Sequence, residues 1–337
     1  MAAFSTAAFT RRRIVGGALY GTGLSLLPYA ARAQTWPSRP IRVVSSQAPG
    51  SGNDAIARAY AEYTARVLDS PVVVENRSGA GGMIAGQYVA SQPPDGHTLL
   101  LIGNSQLAQA SVLYKKPLID TSKDLTPVAG FAAGTSPMCV HKDVPARNLK
   151  ELVQLARTRP VSVGNFAIGS TWHLVLEQLQ KDTGAKFTIV HYKGTGPMVQ
   201  DLMGGSIEVA AGSFVGMNPG IQSGHFRPIA LISPSQTKQF PGLPTMRDEG
   251  FTGPAYQDLV EAYMLLAPRN LPPAILARLG AIAKDSATKA EPMKNIFKML
   301  GVEVDPVLTG TELQENYITR AWPTFQRLTR ELGIEPQ

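Results

Sequence analysis

Ile41-Arg42-Val43-Val44 followed by Gln47-Ala48-Pro49-Gly50-Ser51-Gly52-Asn53-Asp54 is the stretch on which the reading of this chain turns. Three β-branched residues in four predict a strand, and the glycine-rich loop after it runs into a helical pattern over Asp54–Leu68. Glycines let a backbone approach a ligand closely, and a helix start offers unpaired N–H groups with partial positive charge. The natural guest of such a loop is an anion such as a carboxylate. Asn53 or Asp54 can equally cap the helix. The loop is neither G-x-G-x-x-G, because Ala55 stands at the third glycine, nor a P-loop, because it has no lysine.

The same grammar recurs along the chain. Strands are predicted at Val72–Glu75, Thr98–Ile102, Met138–His141, Val161–Asn165, Phe187–Val190, Val209–Ala211 and Pro228–Ile232. Helices are predicted at Gly82–Ser91, Asn148–Arg157, Thr171–Thr183 and Pro197–Met203, and in the C-terminal third at Pro272–Ala287, Glu291–Leu300 and Gly310–Leu332. This alternation implies an α/β protein with two parallel sheets, hence two lobes and a cleft. The C-terminal helices are expected to cover the first lobe. Three further loops repeat the chemistry of the first: Arg77–Gly82, Gly169–His173 and Tyr192–Pro197. Each alone is a tight strand–helix turn. Together they would present N–H groups and hydroxyls from both walls of a cleft.

Composition narrows the classes. The 337 residues are 44% hydrophobic and 17% charged, enough apolar material for two folded lobes. Residues 1–33 hold Arg11, Arg12, Arg13 and Arg32, no acid, and an apolar run from Ile14 to Leu27 before Ala31-Arg32-Ala33. That is the order of an export signal cut before Gln34, through either the general or the twin-arginine route. Its removal leaves 28 basic residues (32 less 4) against 25 acidic ones, a net charge of +3, too small for a nucleic-acid footprint. One cysteine, Cys139, excludes an intrachain disulfide. The five histidines show no metal-binding spacing, so neither metal nor cofactor is expected. No G-x-S-x-G elbow is present. Ser170 near His173 reads as a helix cap beside a pocket or surface histidine. A secreted hydrolase is the rival class.

The ordered set Trp36-Pro37-Ser38-Arg39-Pro40, Ala48-Pro49-Gly50-x-Gly52-x-Asp54, Pro71–Arg77 with Gly79–Gly82, and Pro94-Asp95-Gly96-His97-Thr98 resembles the Bug family. These are the periplasmic solute-binding proteins of tripartite tricarboxylate transporters. Gly169-Ser170-x-x-His173, Tyr192-Lys193-Gly194, Asp201–Gly205, Gly224-x-x-Arg227-Pro228 and Phe240–Arg247 continue the likeness towards the C-terminus. The resemblance implies a type II periplasmic-binding-protein fold with two crossover strands, near Phe131–Val140 and Asp258–Ala267. Lobe 1 would then comprise 34–132 and 262–337, and lobe 2 133–261. It implies no enzyme activity and capture of a small carboxylate, dicarboxylic, tricarboxylic or aromatic. The partners would be transporter membrane subunits or a signalling receptor.

Carried onto this chain, the resemblance makes Gly50, Ser51, Gly52, Asn53 and Asp54 the first-lobe clamp, with Gln47 and Ser105 beside it. Asp54 is expected to fix the loop rather than touch an anion. Gly169, Ser170, Thr171 and His173, with Lys193, Gly194 and Thr195, form the second-lobe set, and Phe214 is a candidate wall. The chain departs from the family pattern at Ser46-Gln47, Gly50–Asn53, His97, Ala262 and Met264. The first of these, at Ser46-Gln47 and Gly50–Asn53, border the expected ligand and make one side of its pocket more polar, which puts the identity of the ligand in doubt.

Overall fold

The computed structural model describes residues 36–233, 236–302 and 306–337, so the export signal expected in residues 1–33 lies outside the described residues. β1 (Ile41–Ser45), α1 (Gly52–Leu68), β2 (Val72–Asn76), α2 (Met83–Ala90), β3 (Thr98–Gly103), α3 (Asn104–Leu113) and β4 (Leu125–Ala132) open the first lobe. The chain passes straight from β4 into β5 (Ser136–His141), the first strand of another sheet. There follow α4 (Leu149–Thr158), β6 (Val161–Asn165), α5 (Thr171–Thr183), β7 (Phe187–His191), α6 (Thr195–Met203), β8 (Val209–Ala211), α7 (Phe214–Gln222) and β9 (Phe226–Ile232). After α8 (Pro254–Gln257), β10 (Ala262–Pro268) returns to the first sheet. α9 (Pro273–Lys289), α10 (Glu291–Leu300), β11 (Val307–Leu308), α11 (Gly310–Leu313) and α12 (Ala321–Glu331) complete the chain, with Gln314–Arg320 as a π-helical stretch before α12.

The first sheet has the order β11-β4-β10-β3-β1-β2 and the second β7-β6-β8-β5-β9. Only part of each sheet is parallel, which corrects the expectation of parallel sheets. β1 pairs in parallel with β2 and β3, and β6 with β7 and β8. β10 is antiparallel to both β3 and β4, and β5 to both β8 and β9. The reason is the route of the chain. β10 comes back from the second lobe and enters the first sheet beside the C-terminal end of β3, with Tyr263 opposite Gly103, so it runs against β3. Its first residues therefore stand at the edge where the strand-to-helix loops gather.

Side-chain alternation along each strand divides the core into layers. Ile41, Val43, Leu99 and Leu101 pack with Tyr60 of α1 and Leu279 and Phe297 of α9 and α10. Val44, Leu100 and Ile102 face the other way, onto Met83, Leu107 and Phe325 of α2, α3 and α12. The C-terminal helices thus cover both faces of the first sheet. In the second lobe Met138 and Val140 join one layer, and Cys139 between them joins the other. No helix among the described residues is long and apolar enough to cross a membrane.

Candidate functional site

Ser51 caps α1: its hydroxyl accepts the N–H of Asp54 at 3.1 Å. The Asp54 carboxylate then accepts from the Gly50 N–H at 3.1 Å, the Asn76 amide at 2.9 Å and the Arg58 guanidinium at 3.0 Å. Asn53 accepts from the Ser45 hydroxyl at 2.7 Å. This network ties the loop to the ends of β1 and β2, and Asp54 has the loop-fixing contacts expected of it. The second lobe repeats the device. Ser170 caps α5 by accepting the His173 N–H at 3.1 Å, and donates its hydroxyl proton to Asn165 at the end of β6, 2.7 Å away.

Between the lobes lies a cavity of about 860 Å³, its mouth included. Four of the expected residues line it: Gln47, Ser105, Thr171 and Thr195. Gln47 also borders a second chamber with Lys193 and Gly79–Gly82, and the two chambers share Gln47, Gln106 and Phe166 as a common wall. All four glycine-rich loops thus contribute to the cavity, the chamber or their immediate supports. Ser51, Gly52, Asn53, Asp54, Gly169, Ser170, His173 and Gly194 are buried outside the lining, where they shape the loops, and Gly50 is exposed. Gly52 shows why. A Cβ there would stand 2.3 Å from the Tyr263 hydroxyl and 2.5 Å from that of Ser213, two residues that do line the cavity. Only glycine lets α1 start so close to that wall.

Phe214 is not a wall of this cavity. Its ring packs edge-on against Phe240 at 4.7 Å, because α7 turns it away from the lining. The aromatic surface comes instead from Phe166, Trp172, Tyr256 and Tyr263. His173 is buried among neighbours: its ring meets that of His191 at 5.1 Å, and burial together with that neighbour pushes its pKa down to about 4. It is neutral at pH 7 and does not face the Ser170 hydroxyl proton, which goes to Asn165.

Two features escaped the sequence reading. One is α7, which begins at Ser213 without a side-chain cap, as the expected α6 entry does at Gly194, so the first N–H groups of both helices keep capacity for an anion beside Ser213 and Thr195. The other is Glu261, which immediately precedes β10. Its carboxylate accepts the Ser105 N–H at 3.1 Å, the Ala262 N–H at 3.2 Å and the hydroxyl proton of Thr171. Burial pushes its pKa up, opposed by these donors. The signal was a lone acid at the head of the apolar run Ala262–Pro268. Tyr263, two residues on, has its phenol pushed up to about 12 by burial. Among the described residues no cluster of side chains could hold a metal ion.

Residues 56–333 match the family described as the tripartite tricarboxylate transporter family receptor. Protein BugT of Bordetella pertussis is 30% identical over 308 residues, 90% of this chain and 92% of that protein. The periplasmic binding protein BugD superposes with a TM-score of 0.80 at 27% identity, over 90% of this chain and all of that one. The R. palustris protein Rpa4515, solved with adipate, does so with a TM-score of 0.82 at 27% identity and the same coverage. With its two crossing strands, two mixed sheets and interlobe cavity, this chain has the type II periplasmic-binding-protein fold and belongs to the tripartite tricarboxylate transporter receptor family.

Proposed function

We propose that this protein is a periplasmic solute-binding protein that captures a small carboxylate and hands it to the membrane subunits of a tripartite transporter. The observation that carries the reading is the interlobe cavity, into which Thr195 and Ser213 open from helices that lack side-chain caps. Helix starts and hydroxyls hold an anion without a permanent countercharge. Lobe 1 is 34–132 with 262–337, lobe 2 is 133–261, and the hinge is the pair of crossing segments. Gln47, Ser105, Thr171 and Thr195 contact the ligand directly. The clamp loop Gly50–Asp54 and the loop Gly169–His173 act by holding those contacts in place, and Lys193 and Gly194 meet the first lobe. Binding shifts the open–closed equilibrium by the ligand's preference for the closed state. Residues 1–33 direct export and are removed.

Capture without chemistry agrees with the state of Ser170, whose hydroxyl is committed to Asn165 and to the α5 backbone rather than to a base. The test is to express the full chain in a Gram-negative host, recover it from the periplasm and measure thermal unfolding against a panel of small carboxylates. A ligand at ~100 times its dissociation constant adds roughly 2.7 kcal/mol. A melting shift with an acid that mass spectrometry finds unchanged is the expected result. Consumption of the acid would establish an enzyme instead. An N-terminus at Gln34 is expected, and an uncut chain would remove the export-signal assignment.

A further inference from the structure

We propose that the ligand carries one carboxylate and one protonated amine, and that Glu261 selects it by receiving the amine. This inference rests on the carboxylate-binding reading and narrows it. Among the described residues of the cavity lining Glu261 alone carries a formal charge, and none of them is a lysine, arginine or histidine. A second or third carboxylate on a ligand would therefore meet a like charge with no cation to offset it, in a site that water screens poorly.

The geometry favours reception of a donor. The Ser105 N–H belongs to the first lobe and the Thr171 hydroxyl to the second, so the Glu261 carboxylate is held between the lobes in the closed cleft. The donors around it are the Ser105 and Ala262 N–H groups and the Thr171 and Ser105 hydroxyls, none of them charged, so a cation entering the cavity finds in Glu261 a carboxylate with no countercharge. Burial raises the free energy of the bare carboxylate, and an ammonium partner relieves it. The other end of the ligand has its place nearby. Tyr263 lies two residues from Glu261 along extended chain, about 6.6 Å apart at a strand rise of ~3.3 Å. Its hydroxyl stands with that of Ser213 at the uncapped start of α7, so a carboxylate there lies within a small aminocarboxylate's span of Glu261.

The experiment is calorimetric titration of the wild-type protein with matched compounds. Glycine, β-alanine, γ-aminobutyrate and 5-aminovalerate are each compared with the diacid in which a carboxylate replaces the amine. Neutral and aromatic α-amino acids are compared with their deaminated acids. The expected result is at least one aminated compound binding tenfold or more tighter than its counterpart, with that ratio falling at least tenfold in Glu261→Gln. A wild type that prefers diacids or deaminated acids overturns the inference and leaves carboxylate capture standing. A folded Glu261→Gln with an unchanged ratio overturns it too, and reduces Glu261 to a structural bridge. Failure of every acid to bind overturns both readings. If Glu261→Gln does not fold, the wild-type ratio decides alone.

Discussion

The backbone N–H of Ala48 donates to the carbonyl oxygen of Lys193 at 3.2 Å, joining the clamp loop of the first lobe to the α6 loop of the second. Deeper in the cleft the Gln109 amide donates to the Gly169 carbonyl at 2.8 Å. These bonds describe the closed state, and they depend on how near the two backbones come.

Gly194 makes that approach possible. Its φ is +137°, and a Cβ would lie 2.8 Å from the Ala48 nitrogen. Gly194→Ala meets both a backbone conformation that L residues rarely adopt and a contact with main chain that cannot yield cheaply. The cost falls on the closed state alone if the loop relaxes when open. Ligand affinity should fall roughly 5- to 150-fold, for a penalty of about 1–3 kcal/mol. Small-angle scattering should show the ligand-induced contraction of the wild type and a smaller one in the variant. Equal contraction and equal affinity would mean that the lobes close by another contact.

Asp54 supports the opposite side of that joint. Asp54→Ala takes the acceptor from the Gly50 N–H and from one proton of the Asn76 amide, whose other bond to the Gln47 carbonyl remains, and removes the Arg58 partner. The Asp54 side chain is only 6% exposed, but Gly50 and Arg58 are exposed and recover water. Urea unfolding should report a loss of roughly 1–2 kcal/mol. Asp54→Asn keeps one acceptor and should lose less. A ligand-free stability equal to the wild type would show that the loop does not need its carboxylate.

Much of this frame is legible in the residues, because local rules govern it. Thr171–Thr183 is bounded by a serine cap and by Gly184 in a left-handed conformation, and the helix has those bounds. β10 and α3 carry no such periodic mark. β10 is buried on both faces and reads as a plain apolar run, and eight of the ten residues of α3 are buried, which erases its amphipathic stripe. The site divides in the same way. Glycine-rich loops announce where a backbone must come close, yet most of those residues build the wall from behind. Glu261 and Ser213 reach the cavity through strand order and lobe closure, which join positions far apart in sequence and follow no local pattern.

Ser170 separates a support from a nucleophile. Ser170→Ala removes the α5 cap and the partner of the buried Asn165 carbonyl oxygen. The expected effect is a stability loss of about 1–2 kcal/mol with a modest loss of affinity. Chemical denaturation and calorimetry on the same preparation read the two quantities. Full stability with abolished function would point to chemistry at the hydroxyl.

His173 sets an acid limit on stability. In the folded protein its pKa is pushed down to about 4, first by burial and then by repulsion from His191. The Gly169 N–H is directed at Nδ1, 3.5 Å away, which suits a neutral ring with its proton on Nε2. Glu177 stands 3.8 Å from Nε2 and would favour the charged ring, but burial raises that carboxyl's own pKa and weakens the opposition. In the unfolded chain the imidazole titrates near ~6.5. Above that value both states hold it neutral, and its contribution is fully present. As pH falls below it, the unfolded state takes up the proton first, so stability declines until the folded group also protonates near pH 4. The span corresponds to a loss of up to about 3 kcal/mol. Urea midpoints should fall between pH 6.5 and 4, and His173→Gln should flatten the part of that fall due to this ring. An unchanged slope in a folded variant would assign the acid sensitivity to other groups and would mean that the His173 site opens to water when protonated.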